Sequence, residues 1–295
     1  NNKQIEELAK EKGLKLLNPS AELAEKIENK ITQVSWLGDL AELLPPHQVT
    51  LVKKIPAGTT GILQWAHSHT GEGTIHLQKE ADLKNLQEKF PEREARITTY
   101  IKGPMFTANV VVTPEKILVG NISYQITGIS PFTDNPFSTI GNDWGVPFSI
   151  LTEKHLEDFN KIANRVGEKL QAEGWKGLFG IDVIYDEECD KLFLIEINAR
   201  QPASTTYESQ LQQKVREEGV EGMTTFEAHL AALTDSPVTT LLPINDGAQI
   251  IQRITATVKK VDAKKLEEAG YKVISYKNTR LNNDLLRIQC DRGIM

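Results

Sequence analysis

The chain has 295 residues, of which 39% are hydrophobic and 25% are charged, and its net charge is −6. This balance is typical of a globular protein, and the negative charge argues against a general nucleic-acid binder. No apolar run approaches the ~20 residues of a membrane span, and no secretory signal is visible. Two cysteines without disulfide or zinc spacing favour a cytoplasmic location. Because the chain begins at Asn1, we expect it to be part of a longer protein.

The first third of the chain predicts short helices followed by strands. Residues 1–35 are typical of short helices, the second of which, AELAEKIENKITQ, begins after Ser20. From Val49 to His76, short apolar runs alternate with Gly and Pro, which indicates strands and turns. The segment ADLKNLQEKF predicts an amphipathic helix after them.

The middle of the chain predicts further strands, a long loop and one strong helix. The loop is residues 130–147, rich in Gly, Pro and Asn, and loops of this length are often functional. Its Asn142 would line an acceptor pocket or serve a turn. The preceding Tyr124-Gln125 pair is interpreted as strand core and rim. Apolar residues at spacings of three and four predict a helix over 153–173.

Two strands, GIDVIY and KLFLIEI, flank the acidic turn DEECD and predict a hairpin. A helical stretch follows to about Leu233, and the tail from Val238 mixes strands and helix. The order is that of an α+β protein, since it lacks the regular strand–helix alternation of a Rossmann sheet.

The hairpin predicts a shared face of acidic and amide side chains. Antiparallel pairing about Cys189 places Ile184 opposite Leu194, Asp182 opposite Glu196, and Gly180 opposite Asn198. The face opposite to Glu196, made of Phe193, Ile195 and Ile197, is expected to be core.

Facing carboxylates in apolar strands need a cation or water. Asp182, Glu196 and Asn198 supply the oxygen ligands that Mg²⁺ prefers, and Arg200 would add a bidentate donor for phosphate or carboxylate. Alternatively, the hairpin lies at a surface where the carboxylates face water.

The segment GLFGIDVIYDEECDKLFLIEINAR resembles the metal-binding signature of the ATP-grasp superfamily, which includes biotin carboxylase and many carboxylate–amine ligases. The resemblance implies an ATP-grasp fold in which two α/β lobes grip the nucleotide, here with a small C-terminal α/β appendage. It also implies ATP and one or two Mg²⁺ ions, or Mn²⁺, as cofactors. Asp182, Glu196 and Asn198 would hold the metal, with Asn198 and Arg200 as catalytic residues.

The resemblance extends upstream to candidate nucleotide contacts. It implies that Lys30 reaches the nucleotide phosphates and that a Gly-rich flap closes over them. The implied nucleotide-binding residues are Lys30, Gln64, Ser68, Gly71, Gly73, Thr74, Thr99, Tyr100 and Ile101. Gln64 departs from the lysine that is usual there, and Thr98 departs from a common acidic residue.

Four regions follow from this resemblance. Residues 1–35 would end a preceding region, and 36–100 would form the small lobe with the flap. Residues 101–237 would form the large lobe with the metal hairpin, and 238–295 the C-terminal appendage.

The implied function is an ATP- and Mg-dependent ligase that activates a carboxylate as an acyl phosphate for attack by an amine or other nucleophile. The partners would be these small-molecule substrates, without nucleic acid or membrane, and a homodimer is compatible with the sequence. Two alternatives remain: a nucleotide-binding module with weak or no catalysis, and a bicarbonate-activating carboxylase or synthetase component.

Overall fold

The structure is a computed structural model that describes residues 2–67, 73–257 and 261–293. Its helices are α1 (Lys3–Glu11), α2 (Ala21–Glu28), α3 (Thr32–Leu37), α4 (Glu80–Lys89), α5 (Pro147–Ile150), α6 (Glu153–Ala172), α7 (Thr205–Glu217), α8 (Thr225–Leu233) and α9 (Lys264–Glu268), with short 3₁₀ turns at Gly38–Leu43 and Val52–Lys54. Its strands are β1 (His47–Leu51), β2 (Gly61–Gln64), β3 (Thr74–Leu77), β4 (Glu94–Thr98), β5 (Met105–Val112), β6 (Ile117–Val119), β7 (Ser123–Thr127), β8 (Thr139–Asp143), β9 (Gly177–Asp186), β10 (Lys191–Asn198), β11 (Ala248–Arg253), β12 (Lys272–Ser275) and β13 (Asp284–Cys290).

The described strands form two antiparallel sheets. A four-stranded sheet has the order β1-β4-β2-β3. A nine-stranded sheet has the order β10-β9-β5-β7-β8-β11-β13-β12, with β6 paired to β5. The short segment after β4 crosses from the small sheet to the large one, so the two sheets are close in the chain as well as in space.

One face of the large sheet carries the main hydrophobic core. The apolar stripe of α6, which includes Phe159, Ile162 and Val166, packs there with side chains from α2, α3 and the sheet. The opposite face carries α8 beside β5 and β9, and other residues of this face line a cavity together with residues of the small sheet. This division arises because side chains alternate between the two faces of each strand.

The predicted helix over AELAEKIENKITQ is interrupted in the structure at Asn29. The Asn29 side chain accepts from the backbone N–H groups of Ile31 and Thr32, at 3.0 and 3.3 Å. An Asn side chain competes with helical bonding in this way, so α2 ends and α3 begins a few residues later. Lys30 lies in the break, where its backbone N–H donates to the carbonyl of Ala66.

The predicted long loop over residues 130–147 is only partly a loop. It contains β8, which pairs with β7 and with β11. The partner β11 comes from the C-terminal tail, about a hundred residues later, so local sequence could not reveal the pairing. The tail strands β11, β13 and β12 thereby continue the large sheet.

The helix prediction for 153–173 is confirmed as α6, with Thr152 accepting from the His155 N–H at its start. The predicted α+β class is also confirmed. In the parts of the chain that the structure describes, every helix is too short or too polar to cross a membrane.

Candidate active site

A cavity of about 480 Å³ lies between the two sheets. Its walls are the polar faces of β2, β3 and β4 on one side and of β5, β7, β8, β9, β10, β11 and β13 on the other. The segment that links β4 to β5 closes one end. Concave sites of this size between lobes are where proteins bind small molecules.

The acidic hairpin, β9 and β10, forms one wall of this cavity. Asp182 pairs with Glu196 and Gly180 pairs with Asn198, as the sequence predicted. Asp182, Glu196 and Asn198 line the cavity together, and each of them is partly buried. A side chain at Gly180 would meet the ring of Pro202 at 2.7 Å, so glycine lets the chain after the hairpin pack closely.

A β-bulge corrects the rest of the predicted register. Phe193, and not Leu194, pairs with Ile184, because the register shifts between Leu194 and Glu196. The extra residue, Ile195, lines the cavity beside Glu196. Phe193 and Ile195, which we assigned to the core, pack with Ile184 in a small cluster outside the main core.

Two amide groups hold the Asp182 carboxylate on the cavity wall. It accepts from the Gln125 amide at 2.8 Å and from the Asn198 amide at 3.1 Å. Removal from water and the charge of Glu196 opposite raise the pKa of Asp182 to about 6. Gln125, which we had assigned to core and rim, therefore belongs to the site.

Lys30 supplies a positive charge at Glu196. Its side chain is only 2% exposed, and its Nζ donates to Glu196 Oε1 at 2.9 Å. Lys30 lies in the break between α2 and α3, and its side chain lines the cavity. From the sequence we expected Lys30 to contact the nucleotide phosphates. In the structure it contacts Glu196, one of the candidate metal ligands.

The side chains of Asp182, Glu196 and Asn198 suit a divalent cation. Two carboxylates and one amide share a face, and removal from water together with the charge of Glu196 raises the pKa of Asp182. A hard cation would supply that compensation through oxygen ligands.

Arg96 is a cavity residue that sequence reasoning missed. It lies on β4 opposite Gln64, is 1% exposed, and donates to Gln64 Oε1 through Nε and Nη2, at 3.1 and 2.8 Å. Its Nη groups also reach Gln33 Oε1 and the carbonyl of Ile195, the bulge residue of β10. The guanidinium group thus connects the small sheet to the acidic hairpin.

Burial lowers the pKa of Arg96 to about 10, and the charge of Glu196 opposes this shift. The side chain is therefore cationic at neutral pH. The signal in the sequence was a single charged residue inside the β-branched strand ARITT. Gln64, which we expected to contact phosphate in place of a lysine, lines the cavity with its oxygen bound to this arginine.

Arg200 lies at the cavity rim, with its side chain about half exposed. Its Nη1 donates to Glu28 of α2, which the sequence did not suggest as a partner. The predicted contact with phosphate or carboxylate would require Arg200 to share or leave this ion pair.

The flap is described only at its ends. Ser68 and Gly71 lie outside the described residues, whereas the Gly73 carbonyl accepts from the Trp65 N–H and Thr74 lines the cavity opposite Gln64. At the cavity mouth His76 stacks on Tyr100 with centroids 4.2 Å apart, and Phe137 packs edge-on to His76.

The linking segment Thr99–Ile101 lines the cavity, and its contact with adenine stays a prediction. The backbone N–H of Thr99 already donates to the Pro46 carbonyl at 2.9 Å. Adenine contacts would therefore fall to other backbone groups of this segment.

The far end of the cavity is built by residues of β8, β11 and β13. Asn142, which the sequence suggested for the pocket of the acceptor substrate, lies there on strand β8. Gln249, Arg253 and Arg287 join it from the tail, for which the sequence suggested no function. The sequence feature that could have identified these two arginines is again a single arginine within a mostly apolar strand, IIQRI and DLLRI.

The same fold occurs in solved structures. N5-carboxyaminoimidazole synthase from Aspergillus clavatus, in complex with ADP and 5-aminoimidazole ribonucleotide, is 18% identical with a TM-score of 0.71 over 99% of this chain and 74% of that one. N5-carboxyaminoimidazole ribonucleotide synthetase from Thermotoga maritima is 17% identical with a TM-score of 0.65 over 95% and 71%. The biotin carboxylase domain of Hydrogenobacter thermophilus 2-oxoglutarate carboxylase, with MgADP, ADP and bicarbonate, is 12% identical with a TM-score of 0.64 over 97% and 67%.

A comparison of the sequence with curated proteins finds no match. The model of the ATP-grasp domain family matches residues 27–204, which is more than half of the chain. This span runs from the end of α2 through both strands of the acidic hairpin. The chain belongs to the ATP-grasp family, as its hairpin sequence indicated.

Proposed function

We propose that this protein is an ATP- and Mg-dependent ligase that activates a carboxylate as an acyl phosphate. The observation that carries the proposal is the pair Asp182 and Glu196, facing each other with Lys30 inside the cavity of an ATP-grasp chain. Structures with this fold have been solved with ATP and with MgADP, which supports these two ligands.

The reaction has two steps. An oxygen of the substrate carboxylate attacks the γ-phosphorus of ATP, and the bond from that phosphorus to the ADP oxygen breaks. An amine or another nucleophile then attacks the acyl carbon, the carbon–oxygen bond breaks, and inorganic phosphate leaves with the electron pair. The amine proton passes to a base or to solvent. Such transfers depend on positioning and on charge stabilisation more than on covalent chemistry by the protein.

Asp182, Glu196 and Asn198 would hold one or two Mg²⁺ ions. When bound, the metal neutralises charge on the phosphate oxygens. The chain itself contributes two buried cations: Lys30 at Glu196, and Arg96 at Gln64 and the bulge. Fixed positive groups in a water-poor cavity stabilise the charge that develops during transfer.

The remaining site residues have roles that follow from position. Thr74 and the backbone around Gly73 would border the triphosphate, and Thr99–Ile101 would border the base. Arg200 would orient the γ-phosphate or the substrate carboxylate at the rim.

The alternative of a nucleotide-binding module rested on Gln64, which removes a usual lysine charge. Arg96 weakens that argument, because it brings a guanidinium to the same place. Activation of bicarbonate remains a second candidate, supported by the fold shared with a biotin carboxylase domain whose structure contains bicarbonate.

The four-region division, the homodimer and the cytoplasmic location stay predictions from the sequence. Light scattering on the purified chain would decide the oligomeric state.

The first test is Glu196→Gln, with Glu187→Gln at the exposed hairpin tip as the matched control. Glutamine keeps an acceptor for Lys30 but loses the metal-binding charge, so Mg-dependent ADP formation should fall about 100-fold or more. The melting temperature should stay close to that of the wild type, and the control should keep full activity.

The assay would use a panel of carboxylates, amino acids and bicarbonate as substrates. Equal activity of the two variants would refute the metal assignment. Tight Mg-ATP binding without turnover on any substrate would favour the nucleotide-binding module.

A further inference from the structure

The amide of Gln125 reaches the acidic hairpin from a strand outside it. We propose that Gln125 is a positioning residue of the metal site, which fixes the carboxylate of Asp182 without neutralising its charge. The inference rests on the proposed function, because it takes Asp182 and Glu196 as ligands of a divalent cation. It adds a residue of β7 that the hairpin sequence does not contain.

The sheet register explains how Gln125 reaches Asp182. Thr107 of β5 pairs with Asp182 on one side and with Ser123 of β7 on the other, so β5 lies between the two strands. Strands two places apart in a sheet are about 10 Å apart. Gln125, Thr107 and Asp182 all line the cavity, and the long Gln125 side chain crosses over β5 to bring its Nε2 to 2.8 Å from Asp182 Oδ1.

The surroundings of Gln125 restrict its side chain. It is 7% exposed, and β7 lies between β5 and β8 in the large sheet. Asn142 pairs with Gln125 on the β8 side and donates to Ser123 Oγ at 3.1 Å. A buried side chain has already lost its rotamer freedom on folding, so Gln125 can hold its partner in one orientation at little further entropic cost.

Two amides fix the Asp182 carboxylate from two different strands. Its Oδ1 accepts from Gln125 of β7, and its Oδ2 accepts from Nδ2 of Asn198 of β10 at 3.1 Å. The χ2 torsion of aspartate has broad minima, so the carboxylate rotates easily unless hydrogen bonds fix it. With one donor on each oxygen, the plane of the carboxylate is set by the protein itself.

The repulsion between Asp182 and Glu196 makes this fixing necessary. The two residues pair directly across the hairpin, where Cβ atoms are about 5 Å apart and like charges repel. Lys30 holds Glu196 through a contact of 2.9 Å, and Gln125 holds Asp182 from the other side of β9. Without the Gln125 amide, we expect the Asp182 carboxylate to turn away from Glu196.

The donor from Gln125 is uncharged, in contrast to the ammonium group of Lys30 on Glu196. An amide hydrogen bond fixes a carboxylate and leaves its negative charge for a cation, whereas an ammonium group compensates that charge. A lysine at residue 125 would therefore compete with a metal ion for Asp182. Hydrogen bonds to metal ligands are a common means of fixing them, and their removal lowers metal affinity about 10–100-fold.

The test measures Mn²⁺ binding to the ADP-bound protein by electron paramagnetic resonance, which reports free Mn²⁺ and needs no turnover. Gln125→Met keeps the length of the side chain and loses the donor. Gln125→Lys keeps a donor and adds a positive charge. The matched control is Gln289→Met, which replaces another buried glutamine of the large sheet, on β13.

Wild type and Gln289→Met should bind Mn²⁺ with equal affinity. Gln125→Met should bind it about 10-fold more weakly. Gln125→Lys should bind it about 100-fold more weakly, because its ammonium group also repels the cation. The affinity for ADP in EDTA should be equal in all four proteins, since Gln125 acts through the metal site. A purely structural defect would instead lower the melting temperature and both affinities together.

Glu196→Gln separates this inference from the proposed function. If the wild type binds no Mn²⁺, or if Glu196→Gln binds it equally well, the metal assignment itself fails. If Glu196→Gln loses Mn²⁺ and Gln125→Met binds it like the wild type, only the positioning role is wrong. Should Gln125→Met have a lowered melting temperature, Gln125→Lys decides, and Mn²⁺ affinity equal to that of the wild type would overturn the proposal.

Discussion

At the scale of single residues, the pair Gln64 and Arg96 decides how the cavity obtains its positive charge. A lysine is usual at the position of Gln64, so the sequence alone suggested a weakened site. The structure shows the Gln64 oxygen bound twice by the buried guanidinium of Arg96. The positive charge beside Gln64 is therefore supplied by the neighbouring strand β4, which pairs with β2.

This arrangement predicts that Gln64→Lys, which brings back the usual residue, is harmful. An ammonium group beside Arg96 would place two like charges in a buried site and remove the acceptor of two N–H groups. We expect a loss of about 2–4 kcal/mol in the free energy of unfolding, together with lower ADP formation. Urea denaturation and the ADP assay would measure the two effects.

The control is Gln64→Glu, which keeps an acceptor for Arg96 and should retain most of the stability. A Gln64→Lys protein that is as stable as the wild type and more active would show that Arg96 does not replace the missing lysine.

At the scale of elements, a buried polar cluster anchors α7 to the sheet just after the acidic hairpin. Asn109 of β5 donates to Glu208 and accepts from the hydroxyl groups of Ser204 and Thr205. Glu208 is fully buried, also accepts from Asn121, and has its pKa raised by that burial. The cluster holds the chain that leaves the hairpin against the sheet.

We therefore predict that Asn109→Leu, which has a similar volume, destabilises the protein by about 2–4 kcal/mol. The substitution removes the hydrogen bonds that Asn109 makes with Glu208, Ser204 and Thr205, all of which are buried. Thermal or urea unfolding would measure it, with Asn160→Leu on the exposed face of α6 as the control. Equal stability of these two variants would mean that the cluster contributes little.

The elements also show where prediction from sequence stopped. Helix α6 was predicted to within a residue at each end, because its periodicity and caps are local. The break at Asn29 and the bulge at Ile195 were missed, because each depends on a single side chain or on one extra residue. The sequence predicts a loop where strand β8 lies, since its partner β11 is about a hundred residues away.

At the scale of the whole molecule, the tail is part of the large sheet. Strand β11 pairs with both β8 and β13, so the tail covers the edge of β8 and builds one end of the cavity. An antiparallel sheet that loses these strands exposes an unpaired edge and apolar side chains such as Ile140 and Ile126.

We predict that a chain ending at residue 237 loses cooperative unfolding and aggregates, although the family match ends at residue 204. Size-exclusion chromatography and thermal unfolding followed by circular dichroism would test this. The matched comparison is a chain that lacks residues 1–17, which removes α1 and leaves both sheets complete. A truncated 1–237 chain that unfolds like the full one would contradict the prediction.

The sequence by itself determined the α+β class, the pairing of Asp182 with Glu196, and membership of the ATP-grasp family. These depend on local alternation and on a compact motif, so short stretches of sequence contain them. Only the tertiary structure decided that Arg96 serves both sheets and that the tail arginines reach the cavity. The physical reason is that such contacts are made across strands distant in sequence, where register and bulges, rather than residue type, set which side chains meet.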